Sequence, residues 1–200
     1  MTKKVYRYFG GFIDRQTKWL NQMAADGWRL IHTGKLIYEF EHCSPEKYQY
    51  AVEFIAEKSQ KSAESYKFFL EGCGYTVFYK NANLNYSVGK VRWRPWAEPG
   101  GRITTNRTTF NRELLIVEKE NDGKPFQLHT TIPDRIAYYK KWRNLWLTYV
   151  IMFVLMGIAF MPITPTASAL LYLIGFLVFV PVILYQTQLR KLKKEEQLEE

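Results

Sequence analysis

LWLTYVIMFVLMGIAFM, Leu145 to Met161, and ALLYLIGFLVFVPVILY, Ala169 to Tyr185, decide the architecture of this chain. Both lie in a stretch from Asn144 to Leu189 that has no formally charged residue and is closed by Arg143 and Arg190. A bilayer's hydrocarbon core takes roughly 20 apolar residues per helical crossing, so the stretch holds two crossings with a turn at Pro162 to Ser168. Pro162 and Pro165 bound that turn, and Pro181 sits late in the second crossing, where it can kink the helix. A buried helical pair of a globular protein is the alternative, and the unbroken apolarity argues against it. The expectation is a soluble unit over 1–132, a basic amphipathic juxtamembrane helix over 133–144 starting at Pro133 and Asp134, a transmembrane hairpin over 145–188 and a charged tail over 189–200.

Arg135, Lys140, Lys141 and Arg143 precede the first crossing and Arg190, Lys191, Lys193 and Lys194 follow the second, while the connecting turn has no basic residue. The positive-inside bias then puts both termini in the cytoplasm and makes the chain a multi-pass protein of the cell membrane. Tyr138, Tyr139, Trp142, Trp146, Tyr149 and Tyr185 suit interfacial aromatic belts. The opening MTKKVYRYFGGFIDR is charged and strand-like, unlike a secretory signal, so the first crossing is expected to serve as its own insertion signal. Cys43 and Cys73, in a cytoplasmic domain, should be reduced and buried. The net charge of +9 divides unevenly: residues 133–143 carry +3, residues 190–200 sum to zero and +6 remains before them. Anionic lipid headgroups favour each juxtamembrane Lys or Arg by about 1 kcal/mol, so much of the excess reads as a membrane signal.

The soluble part repeats itself. Asp14 to Gly27 has Asp14 as N-cap, Trp19, Leu20, Met23 and Ala24 at helical spacing, and Gly27 as its stop. Trp28 to Thr33 and Lys35 to Glu41, turned at Gly34, read as a hairpin in which Leu36, Tyr38 and Phe40 share a face. Then Tyr48 to Ala56 is a strand, a helix with the stripe Ala63, Tyr66, Leu70 and Cys73 ends at Gly74, and Tyr75 to Lys80 resumes strand. Superposing Gly74 on Gly27 matches Tyr66 with Trp19, Leu70 with Met23 and Val77 with Leu30. The expected fold is α+β: a ferredoxin-like tandem strand-helix-strand-strand repeat, halves 4–43 and 48–96, forming one mainly antiparallel sheet with helices on one face. Lys4 to Phe12 opens the first half, and Lys90 to Trp96 closes the second after a long tip at Asn81 to Gly89. Any two amphipathic helices ended by Gly-aromatic would align comparably. An added hairpin, about 113–131, turns at Asn121-Asp122-Gly123, and Ala97 to Asn111 reads as a mobile loop.

With KWLNQMAADGWRL, YEFEHCSPEKYQYAVEF and FLEGCGYTVFY in place, the chain resembles, over roughly Arg15 to Pro95, a bacterial family known as domain of unknown function twenty-eight-twelve. The most specific part is the tryptophan-containing helix ending in Gly27 and Trp28, followed by the Tyr38-x-Phe40 strand. The strand Lys90 to Trp96 departs from the aromatic-lysine ending of that family. The resemblance implies membrane helices after the domain and genes beside small regulators of the PadR type, and it implies no enzyme activity and no catalytic residue.

No catalytic motif accompanies these features. His32, His42 and His129 lie outside any hydrolase pattern, and no phosphate-cradling glycine motif occurs. Glu39, Glu41, His42 and Cys43 form the nearest approach to a metal cluster, but strand alternation turns His42 away from the others, so neither a metal nor a cofactor is expected. Lys90, Arg92, Arg94, Arg102, Arg107 and Arg112 with Trp93 and Trp96 offer charges and rings suited to single-stranded nucleic acid. Alternation separates Val91 and Trp93 from Arg92 and Arg94, which favours a solvated face or lipid-headgroup contact, and nucleic acid is not an expected partner. The function expected is a membrane-anchored cytoplasmic binding or regulatory module, not an enzyme, recognising a protein or small ligand. Its candidate surface is aromatic: Tyr6, Tyr8, Phe12, Tyr38, Phe40, Tyr48 and Tyr50. The rivals are an enzyme acting on inner-leaflet lipid and a structural subunit of a membrane complex, in which Gly157 and Gly175 would allow close helix packing.

Overall fold

The computed structural model describes residues 1–55, 60–82, 86–88, 91–93, 103–104, 114–126, 128 and 132–199. They form two compact units, Met1–His129 and Thr130–Glu200. In the first, β1 (Thr2–Tyr6), α1 (Ile13–Ala25), β2 (Trp28–Thr33) and β3 (Ile37–His42) are followed by β4 (Tyr48–Phe54), α2 (Gln60–Gly72) and β5 (Thr76–Lys80). Three short strands come next, β6 (Tyr86–Val88), β7 (Val91–Trp93) and β8 (Ile103–Thr104), then β9 (Leu114–Glu120). The sheet orders are β1-β3-β2, β4-β9-β5 and β6-β7-β8, and every ladder is antiparallel.

The first two sheets share one topology: strand, helix, strand, then a last strand inserted between the first two. The α+β class and the antiparallel pairing agree with the sequence, but two details differ. The halves do not merge into one sheet, and the strand that closes the second half is β9, not Lys90 to Trp96. The reason is burial. Leu114, Leu115, Ile116 and Val117 are consecutive and all buried, so both faces of their strand must be covered, which only a central position provides. Ile116 packs with Leu20, Met23, Leu30, Phe40 and Tyr50, while Leu115 and Val117 pack on the other face with Ile55 and Leu70 of the α2 side. Val91–Trp93 instead pairs within the small third sheet.

Among the described residues of 113–131, β9 has β4 on one side and β5 on the other instead of a hairpin partner of its own. The Asn121-Asp122-Gly123 turn forms, with Gly123 at φ 74° and its N–H donated to Asn121 Oδ1 at 3.0 Å, but Pro125, Phe126 and Leu128 after it are not in strand. Most of Ala97 to Asn111, and the ends of Lys90 to Trp96, lie outside the described residues. Helix α1 starts one residue before Asp14, which occupies its first turn with Phe12 at the cap position. Gly27 and Gly74 both follow a helix in the left-handed region, at φ 81° and 86°, and a Cβ on Gly27 would lie 3.0 Å from the Cys43 carbonyl oxygen. Of the two thiols expected to be buried, Cys43 is half-buried and Cys73 exposed, because Cys73 falls past the end of the α2 stripe.

The second unit is two helices, α3 (Ile132–Phe160) and α4 (Pro165–Glu199). At 29 and 35 residues they span about 44 and 52 Å, more than a hydrocarbon core of roughly 30 Å. Both are long and apolar enough to cross a membrane, by length and composition. The juxtamembrane segment is continuous with α3 and the charged tail with α4, since nothing between Arg143 and Leu145 or around Leu189 breaks the helical hydrogen bonding, and Pro181 lies inside α4. The turn is tight: Thr164 N–H reaches Phe160 O at 2.9 Å, and Pro165 opens α4, where its missing N–H costs nothing. Gly157 and Gly175 are used within the pair. A Cβ on Gly157 would come 2.6 Å from the Tyr172 ring, and Ser168 Oγ donates to Gly157 O at 2.6 Å. Gly175 faces Phe153, and Tyr139, Trp142 and Tyr185 are buried.

Candidate functional site

The seven aromatic residues do not share a face. Strand alternation turns Tyr38, Phe40 and Tyr50 into the core shared by α1 and both main sheets, and Phe12 is buried at the α1 start. Their role is packing. Tyr48 is half-buried, with the Arg29 guanidinium 4.5 Å from its ring centre. Tyr6 and Tyr8 remain, 76% and 59% exposed.

The buried tyrosines are joined to a charged network that no local pattern in the sequence announces. Arg29 on β2 donates from Nε and Nη2 to Glu118 Oε1 on β9 at 3.1 and 2.9 Å. The Tyr50 hydroxyl donates to Glu118 Oε2 at 2.6 Å and accepts the Leu30 N–H at 2.8 Å. Burial, then the adjacent Glu118 carboxylate, pushes the Tyr50 hydroxyl far above its ordinary pKa, so it stays a donor. The hydrogen bond that Arg29 donates to Glu118 raises its guanidinium further. This network ties the first half to the second, and Glu118 is only 2% exposed. Nearby, Lys80 donates to the carbonyl oxygens of Gly34 and of Lys35, lies 4.2 Å from the Tyr38 ring centre, and is brought down to about 8 by burial.

Glu39 and Glu41, considered as metal ligands, pair instead with Lys4 at 3.0 Å and Arg29 at 3.5 Å, and His42 meets the Trp28 ring edge-on. Among the described residues no group of three or more His, Cys, Asp or Glu is placed to hold a metal.

A concavity of about 430 Å³ lies between the chain leaving β1 and one side of α1, from Arg15 to Gln22. Arg7, Tyr8, Phe9, Arg15, Lys18 and Trp19 line it. The sequence places Arg15, Lys18 and Trp19 on one helix, three and four residues apart, so that all three reach one side of it. The Gly10-Gly11 pair, at φ 57° and 82°, reverses the chain between Phe9 and Ile13, and a Cβ on Gly10 would press on the Tyr8 ring at 3.3 Å. Arg7 is seated over two rings, 5.3 Å from Phe9 and 5.0 Å from Trp19, and its N–H is donated to Leu36 O at 2.9 Å. Arg15 lies 4.7 Å from the Phe12 ring. Of the seven aromatic candidates this place includes only Tyr8, and its cations form no local sequence pattern, because their convergence depends on the Gly10-Gly11 reversal.

A second concavity, about 450 Å³, is bordered by Asn21, Tyr48, Tyr50, Asn121 and Phe126. There the Asn21 amide both donates to Tyr50 O at 2.8 Å and accepts the Tyr50 N–H at 2.9 Å, which closes the free edge of β4.

In the second unit, Arg143 donates to Gln186 at 2.9 Å and is half-buried, as are Arg135 and Lys141, whereas Lys140, Arg190, Lys191, Lys193 and Lys194 are exposed.

The family model described as Protein of unknown function (DUF2812) matches residues 12–151, from the start of α1 through the middle of α3. No curated protein and no solved structure matches the chain. The family match covers most of the first unit and runs into the first apolar helix, so the chain belongs to the DUF2812 family, whose function is unknown.

Proposed function

We propose that this chain is a membrane-anchored binding module: its α+β unit recognises a ligand or partner in the cytoplasm, and its two apolar helices hold it in the cell membrane. One observation carries the reading: a basic, ring-lined concavity belongs to the same chain as two helices long and apolar enough to cross a bilayer. Arg135, Lys140, Lys141 and Arg143 on α3 and Arg190, Lys191, Lys193 and Lys194 on α4 lie toward the helix ends remote from the turn. That asymmetry supports cytoplasmic termini and contact with anionic headgroups. The module acts through binding, without chemistry of its own.

The test is quantitative mass spectrometry of proteins and small molecules retained by the tagged full-length chain from its native membrane. The control is the helical pair alone, lacking residues 1–132. Retention that disappears in the control supports the reading, and identical retention by both sinks it.

A further inference from the structure

Resting on that binding-module reading, we infer that the concavity between β1 and α1 is an anion site, and that its ligand is a small amphipathic anion: a carboxylate or phosphate group carried on a flat apolar body. Three features point there together. Arg7, Arg15 and Lys18 bring three cations to one recess of about 430 Å³. Lys4, Arg29, Lys67 and Lys119 are each matched with a carboxylate, Glu39, Glu118, Glu71 and Asp122. Among the described residues none of the three lining cations has such a pair. Three like charges side by side repel one another, and a bound anion relieves that repulsion while gaining charge-assisted hydrogen bonds.

The wall selects the rest of the ligand. Phe9 and Trp19 meet at 5.4 Å between ring centres, with Tyr8 beside them, so an apolar body finds ring surface where inorganic phosphate would find only charge. Arg7 is already seated on those rings, which lowers the ordering cost of engaging an anion.

The full chain in phosphatidylcholine nanodiscs would be titrated with 2-naphthoate by equilibrium dialysis, with 2-naphthamide as the uncharged counterpart and inorganic phosphate as the ring-less one. Saturable binding near one per chain is expected, weakened at least tenfold by Arg15→Gln with Lys18→Gln, by the amide in place of the carboxylate, and by loss of the ring. Both substituted side chains are exposed, so the variant should keep its fold, checked by circular dichroism. Absence of saturable binding, or binding indifferent to the double variant, overturns the site. Nanodiscs containing phosphatidylglycerol separate the sources of the anion. Competition with naphthoate that vanishes in the double variant assigns the site to lipid headgroups, and no competition assigns it to a soluble anion. A chain that fails here yet still retains a partner through residues 1–132 would lose this site and keep the binding-module reading.

Discussion

Replacing Arg29 with methionine would leave the Glu118 carboxylate, only 2% exposed, without the two guanidinium hydrogen bonds at 3.1 and 2.9 Å and with the Tyr50 hydroxyl as its side-chain partner. Breaking a buried ion pair by removing one partner costs about 3–5 kcal/mol. The reverse change, Glu118→Gln, should cost less, about 1–3 kcal/mol, because Arg29 is partly exposed and can turn to Glu41, 3.5 Å away, or to water. The double replacement Arg29→Met with Glu118→Leu removes the charge together with its burial penalty, and should be less destabilising than Arg29→Met alone. Pulse proteolysis of the full-length chain in detergent across a urea series reads the stability of the first unit in each variant. The reasoning is refuted if Arg29→Met costs less than about 1 kcal/mol, or if Glu118→Gln is the more damaging single change, since either would mean that the network does not join the halves.

Three further outcomes follow from the geometry. Gly157→Leu must displace the Tyr172 ring and disturb the Ser168 bond, so it should lower the thermal stability of the helical pair in micelles by about 1–3 kcal/mol, and Tyr172→Ala should absorb most of that loss; no rescue would place the strain elsewhere. In a Cys43→Ser background, exposed Cys73 should react with a membrane-impermeant maleimide only after cells are opened, whereas Ile163→Cys, at a turn residue 74% exposed, should react in intact cells; the opposite pattern inverts the topology. Lys80, 3% exposed and with its pKa lowered to about 8, binds a proton less readily in the folded than in the unfolded chain. Its cost to folding, about 3 kcal/mol, is therefore present in full below pH 8 and fades as pH rises toward about 10.4, the unfolded value. The stability difference between wild type and Lys80→Met should move in favour of wild type across that window in urea titrations. Tyr50 and Tyr66, both raised mainly by burial, are common to the two proteins, so a flat difference would contradict the burial of Lys80.

The apolar helices, α1, α2 and the strands β2 to β5 were legible in the sequence, because each follows from a local period or a glycine stop: 3.6 for Trp19 to Ala24, 2 for Leu36 to Phe40, left-handed backbone at Gly27 and Gly74. The family resemblance was legible for the same reason, through the Gly27-Trp28 helix end and the Tyr38-x-Phe40 strand. Which strand closes the second half was not. Val91–Trp93 follows β5 more closely in the chain than Leu114–Glu120, and only the demand that Leu114 to Val117 be covered on both faces puts β9 between β4 and β5. The place of Tyr38, Phe40 and Tyr50 in the core was illegible on the same ground, since they are equally apt for a pocket or a core until a second layer lies across them. Arg29 and Glu118, 89 residues apart, and Arg7 with Arg15 and Lys18 across the Gly10-Gly11 reversal, become neighbours only when the backbone has turned. Short-range periodicity and backbone stops are written residue by residue, so the sequence alone determined the helices, most strands and two apolar spans; pairing partners, buried charge and the recess between β1 and α1 depend on contacts between distant residues, and the tertiary structure decided them.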